Sequence, residues 1–436
     1  MGTASSRPAS QSDPSVVITG AAIVSALGKT ASDTWDAILS GESGICPIAG
    51  FDAKGFPCRL AAQVHGLDAA TLDIHPRWAR ILDLHSYMLM KCSRDTFRQA
   101  QLDGGSVPGE DIGCFLGMGM VDYHVEDLLP AVLASLDADG ALDMDAFYSK
   151  GYQQIYPLWA LSTLNNISLC QVAIDLGICG DNAVFSPDAS AGALAIIEGV
   201  ESLHEGRATA VLAGGVSERV TPPGLARAHI HGLLNTSQDD GMACRPFGAD
   251  RKGTLLGEGC GLLGLELRAS ADRRGVPYTS RIAGHGASFE AAEGSSGPTA
   301  GAIARAMEEA LARAGLTASD LDVVIAHGDG TEGGDAREIE AIHHTFAACL
   351  DRILVFSSKG ALGHLLAGAP AVDVVLATQM LSSGTIPATR TSAPPDKGVG
   401  FRLVTGQPVE AFPRRVMVNC RGHAGQCASL IVEALG

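Results

Sequence analysis

Short runs of β-branched and apolar residues alternate along this chain with segments whose apolar positions recur at helical spacing. Val16-Val17-Ile18-Thr19-Gly20 reads as a buried strand running into a glycine turn, with a helix behind it over residues 33–40. Ala210-Val211-Leu212-Ala213-Gly214-Gly215 is a second buried strand, closed by glycines. Further on, Pro298 and Thr299 open a helix in which Ile303, Met307, Ala310, Leu311 and Ala314 share one face until Gly315 stops it, and residues 321–326 follow as a strand. Residues 180–192 likewise end a strand and start a helix. The later βα series mirrors the earlier one, the pattern of two similar halves whose strand-end loops form a shared site. An α/β protein is expected, with halves at 16–267 and 268–436. Residues 1–15 are rich in Ser, Pro and Ala without apolar period and read as a disordered leader.

Composition narrows the picture. With 436 residues, 46% of them hydrophobic, and 53 glycines, the chain can bury a large core and make many tight turns. The formal charge of −17, with no basic run, excludes nucleic acid as a partner, because phosphate binding rests on clustered Lys and Arg. Eleven cysteines without a C-x-x-C pair indicate neither a zinc site nor a disulfide framework and suit a reducing cytoplasm. No N-terminal apolar region and no unbroken run of about 18 apolar residues point to a membrane.

Candidate chemistry concentrates in two segments. Ala326-His327-Gly328-Asp329-Gly330-Thr331 and Lys359-Gly360-Ala361-Leu362-Gly363-His364 carry histidines and a lysine of the kind that serve acyl transfer. They fall in order with Val17-Ile18-Thr19-Gly20, Val24-Ser25-Ala26-Leu27-Gly28, Arg245-Pro246-Phe247, Gly257-Glu258-Gly259-Cys260-Gly261 and Ala428-Ser429-Leu430-Ile431. This series resembles the β-ketoacyl synthases of fatty-acid and polyketide assembly. The resemblance implies a thiolase-like fold, a duplicated α-β-α-β-α five-layer sandwich working as a dimer. It also implies an acyl chain delivered on the phosphopantetheine of an acyl carrier protein, with no cofactor or metal held by the chain.

In condensing members of that family, a cysteine at a helix N-terminus takes the acyl chain as a thioester, and two histidines assist malonyl decarboxylation. By position His327 and His364 match those histidines, Lys359 matches the lysine, and Asp335 with Glu338 match the acidic pair that braces the loop. Ala189 stands at the cysteine position, and a methyl group cannot attack a carbonyl. Asp188 precedes it where a small apolar residue is usual, and a carboxylate there raises the pKa of a neighbouring thiol. The glycine-rich gate reads Cys420-Arg421-Gly422-His423-Ala424-Gly425-Gln426, polar where the family has two phenylalanines, and Pro370 follows the lysine loop.

These departures resemble the chain length factor, or ketosynthase β subunit, of type II polyketide synthases. Such a subunit forms no acyl-enzyme, pairs with an active ketosynthase α subunit and shapes the acyl tunnel. Those subunits often carry glutamine at the cysteine position and lose the histidines, whereas this chain has alanine and keeps both. A malonyl-acyl-carrier-protein decarboxylase, a homodimeric carrier-binding protein without turnover, and a synthase with its cysteine engineered to alanine are the alternatives. Tyr123 and Leu161 are expected at the tunnel or interface, or as ordinary dimer-core packing. His327 and His364 read equally as satisfied buried histidines. Lys359 is expected to pair with Glu338 or Asp335, since a buried unpaired ammonium is costly, and His423 to hydrogen-bond Asp188. His343 and His344 read as surface or packing residues.

Overall fold

The computed structural model describes residues 14–435, apart from 123, 187, 219, 238–243, 294–296 and 392–393. One mixed sheet is built from β1 (Val16–Ser25), β2 (Ile112–Met118), β3 (Asn182–Phe185), β4 (Ala210–Val216), β5 (Gly259–Leu267), β6 (Ser280–Phe289), β7 (Val323–Ile325), β8 (Leu354–Phe356), β9 (Arg402–Leu403), β10 (Arg415–Arg421) and β11 (Gln426–Ala434). The helices that matter below are α1 (Ala31–Leu39), α2 (Leu84–Gln99), α3 (Val125–Leu133), α4 (Ala191–His204), α5 (Pro222–Ile230), α6 (Ala300–Ala314), α7 (Glu332–Thr345) and α8 (Ala369–Ser383).

The strand order β9-β8-β7-β10-β11-β6-β1-β5-β4-β2-β3 contains one motif twice. In the first half β2 is parallel to β3 and β4, β4 is antiparallel to β5, and β5 to β1. In the second, β7 is parallel to β8 and β10, β10 is antiparallel to β11, and β11 to β6. The halves are joined through Val16↔Ile282 and Val17↔Arg281. Helices α4 and α8 lie between the two half-sheets, α2 covers the outer face of the first, and α6, backed by α7, covers the second. This is the expected duplicated five-layer thiolase-like arrangement.

The layers follow from the sequence. Helix α6 buries Ile303, Met307, Ala310 and Leu311 on one face, is capped by Thr299 accepting from the Ala302 N–H, and ends at Gly315 with φ 66°. Helix α8 is buried on every residue from Ala369 to Thr378, as an apolar helix in a middle layer must be. Pro370 sits in its first turn, where a missing N–H costs no hydrogen bond, so this departure has a plain structural role. The segment Leu366–Ser383, with mean hydropathy 1.2 over 18 residues, is long and apolar enough to cross a membrane, yet 67% of it is buried inside this fold.

Two expectations need correction. Gly20 is no turn: β1 continues through it to Ser25 with a register shift, and a Cβ there would lie 2.5 Å from the Thr96 carbonyl oxygen of α2. Gly214 and Gly215 likewise lie within β4 rather than closing it. Of the expected leader, residues 1–13 lie outside the described residues, while Ser15 is buried and accepts hydrogen bonds from the Arg268 N–H and from Arg281.

Candidate active site

The turn between β3 and α4 holds Asp188, Ala189 and Ser190. Three glycines let it sit deep between the half-sheets. A Cβ on Gly117 of β2 would lie 2.2 Å from the Gly192 nitrogen, and Cβ atoms on Gly192 and Gly215 would lie 2.4 and 2.3 Å from the Ala367 carbonyl oxygen of the other half. Ala189 is fully buried there and presents only a methyl. Asp188 has φ 62°, a left-handed conformation that Asp tolerates better than most residues.

Around this point the second half supplies the ionisable groups. His327 and His364 face each other edge to face, ring centroids 4.9 Å apart. The Nδ1 atoms of His327 and His364 accept the backbone N–H groups of Arg421 and Leu366, each at 3.3 Å, which puts the ring proton on Nε2 in both. Burial, then the Lys359 charge, lowers both pKa values, that of His364 to about 4, so both rings are neutral at pH 7. Asp329 lies 3.5 Å from His327 Nε2 and is held by Arg421 at 2.7 Å. Burial opposes the Asp329 charge, but Arg421 and the His327 hydrogen bond outweigh it and hold the carboxyl well below its usual range.

Asp335 and Glu338 brace the loops as the resemblance implies. Glu338 accepts the His327 and Gly328 N–H groups at 2.7 and 2.8 Å, and Asp335 accepts those of Phe247 and Gly330 at 2.8 and 3.2 Å. Burial raises both, Asp335 to about 8 with help from the Asp329 charge. Lys359 departs from expectation. Its ammonium lies 3.8 Å from Asp373 of α8, rather than forming an ion pair with Glu338 or Asp335. Asp373 is placed by the buried Ser358 hydroxyl at 2.6 Å, a partner supplied by the next long helix in the chain.

The gate segment splits in two. Arg421 ends β10 and turns inward, with Gly334 opposite, where a Cβ would lie 2.0 Å from Arg421 Nη2. His423 lies beyond it, hydrogen-bonded through Nδ1 to Asp188 and stacked on His231 with centroids 4.1 Å apart. Two cavities meet at this stack. An outer one of about 360 Å³ is lined by Lys252, Thr331, Arg337 and Arg421, and an inner one of about 230 Å³ by Met120, Asp188, Glu218, Arg227 and Leu256. Tyr123 lies outside the described residues. Leu161 lines neither cavity and packs against the core of the first half. His343 accepts the Gly400 N–H and packs against Phe401, and His344 is exposed beside Glu308.

Sequence reasoning gave no role to Asp329, although its place between Gly328 and Gly330, both at positive φ, marks a loop folded back on itself. It also missed the Glu218–Arg227–Asp122 ion-pair network at the inner cavity, where burial pushes Glu218 up to about 7 despite Arg227. His327, Asp329 and His364 offer ligand atoms within 4.8 Å of one another. A dication there would meet Arg421 bound to Asp329 and Lys359 acting on both rings, so the donor set is already charge-satisfied.

A thiolase-like ketosynthase fold with two buried, facing histidines set against the turn at the head of α4 defines the class. The chain matches the Beta-ketoacyl synthase N-terminal domain over residues 13–271 and the C-terminal domain over 279–392. It belongs to the β-ketoacyl synthase family. It is 30% identical over 432 residues to the 3-oxoacyl-[acyl-carrier-protein] synthase 2 of Vibrio cholerae, covering 96% of this chain and 99% of that protein. Among solved structures it is similar to the ishigamide ketosynthase/chain length factor, with TM-score 0.82 and 25% identity over 97% of this chain and 99% of that one. A chain in the structure of a type II polyketide synthase acyl-carrier protein in complex with its ketosynthase shares the fold, with TM-score 0.82 and 22% identity over 97% of this chain and 99% of that one.

A cysteine placed at position 189 is expected to react slowly, because the Asp188 carboxylate adjoins it. In Ala189→Cys, iodoacetamide labelling at pH 7.5 should run about tenfold slower than in Ala189→Cys/Asp188→Ser, one pKa unit's worth of carboxylate repulsion. Equal rates would show that Asp188 does not act on the thiol.

Proposed function

We propose that this chain is a non-condensing ketosynthase-like subunit, of the chain length factor kind, that pairs with an active ketosynthase and shapes the acyl tunnel in type II polyketide or polyene assembly. The observation that carries this is the combined loss at one point: Ala189 in place of a nucleophile, with Asp188–His423 beside it and the Arg421–Asp329 pair packed against the histidines. A synthase altered only at its cysteine would keep an apolar gate.

A need for a partner is supported by the surface. Met120, Leu133, Tyr148, Tyr152 and Ile174 are exposed within one stretch of chain, and β3 is an edge strand of the sheet among the described residues. The ishigamide structure, a ketosynthase/chain length factor by its description, is consistent with a heterodimer of this kind. The partner supplies the cysteine and, because carrier proteins are acidic and this chain carries −17, the main docking surface for the acyl carrier protein. The phosphopantetheine arm brings the acyl chain, and the assembly works in the cytoplasm, where eleven free cysteines stay reduced. Coexpression with a cysteine-bearing ketosynthase should yield a stable complex by size exclusion, active only as the pair. A homodimer that elongates chains alone overturns the proposal.

The retained imidazoles favour one second reading, a malonyl-carrier-protein decarboxylase in which His364 donates its Nε2 proton to the enolate. Purified chain forming no acetyl-carrier product, with His327→Ala changing nothing, rules it out.

A further inference from the structure

We propose that His423, oriented by Asp188, is the general base of a water-activating dyad that hydrolyses an acyl thioester in this pocket, an activity that needs no nucleophilic side chain. The His423 ring is held from two sides. Its Nδ1 is bonded to Asp188 Oδ2, its own backbone N–H points at the same oxygen at 3.4 Å, and His231 stacks on one face. Among the described residues nothing hydrogen-bonds Nε2, and His423 lines both the outer and the inner cavity. The outer cavity admits a thioester arm and water, while Leu233, Leu256 and Leu366 give the inner one apolar wall for a short acyl group.

In the step, Nε2 takes a proton from water and the hydroxide oxygen bonds to the thioester carbonyl carbon. The tetrahedral intermediate collapses with loss of the C–S bond, and the proton on His423 passes to the leaving sulfur, giving carboxylic acid and thiol. Asp188 is the positioning residue: it holds the ring and favours the imidazolium formed in the step. The inference rests on an acyl thioester entering this site and is independent of any ketosynthase partner.

The test uses the purified full chain alone, with S-butyryl-N-acetylcysteamine as probe and thiol release as readout. The wild-type chain should release thiol well above the buffer rate, with one oxygen of the acid drawn from labelled water. His423→Gln should lose about 100-fold. Asp188→Asn, which keeps a residue tolerant of the left-handed conformation, should lower kcat more than KM. It should also move the midpoint of the pH profile down, since Asp188 raises the His423 pKa while His231, the other titratable group against the ring, stays in place. Release at the buffer rate by the wild type, undiminished release by folded His423→Gln, or an unmoved pH midpoint in Asp188→Asn overturns the inference. With no ketosynthase in the assay, any of these leaves the subunit proposal standing.

Discussion

Arg421→Met is expected to lower the stability of the chain by about 3–5 kcal/mol, the cost of leaving a buried charge without its partner, read as a fall in urea midpoint at unchanged slope. Arg421 is the cation among three buried carboxyls, bonded to Asp329 at 2.7 Å and 3.8 Å from Asp335, with Glu338 braced beneath His327. Methionine fills much of the volume but leaves the buried Asp329 carboxylate without its cation, held only by neutral donors, the Thr331 N–H and hydroxyl and the His327 ring. The orphaned carboxyl then takes up a proton more readily than in the unfolded chain, so the variant should regain part of the loss as pH falls from 7 toward 5. Adding Asp329→Leu should restore most of it, because an apolar pair of similar volume often equals a buried ion pair. A loss under about 1 kcal/mol, the worth of an exposed pair, would show that water reaches this site.

Gly192→Ala should destabilise by about 3 kcal/mol, the upper part of the overpacking range. In an ordinary helix interior the same change gains about 1 kcal/mol, so the sign itself is the test. The added methyl would lie 2.4 Å from the Ala367 carbonyl oxygen, which is backbone and cannot swing aside. Relief requires separating α4 from the other half, which also shifts the Asp188–Ala189 turn. Gly301→Ala in the first turn of α6 is the control: its methyl meets nothing nearer than Arg305 Nη1 at 3.6 Å, and it should be neutral or slightly stabilising. Equal melting temperatures for the two variants would remove the close approach as an explanation.

Much of the fold was legible because its elements are locally marked. Thr299 and Gly315 bracket α6, and the β-branched runs of β1 and β4 are buried where periodicity puts them. Local marking also misled: Gly20 and Gly215 look like strand ends, yet each is there because another backbone passes close by, which neighbouring residues do not record. The site shows the same division. His327, His364, Asp335 and Glu338 lie in short motifs, and their hydrogen bonds span 11 residues or fewer for Glu338. The partners that went unseen are far away in sequence. Asp329 meets Arg421 across 92 positions, and Arg227 reaches Asp122 across 105. Lys359 and Asp373 are only 14 apart, but which acid it reaches depends on how α8 is sandwiched, not on spacing.

The seam between the half-sheets, two residue pairs at Val16 and Val17, decides how a change in one half is felt by the other. Each half closes its own ladder of strands, and the Asp188–Ala189 turn belongs to one while the facing imidazoles belong to the other. A change in that turn therefore reaches the second half through His423 on Asp188 and the Ala367 carbonyl against Gly192, not through the sheet. The facing histidines, by contrast, take the backbone contacts that orient them, Arg421, Leu366 and Glu338, from their own half.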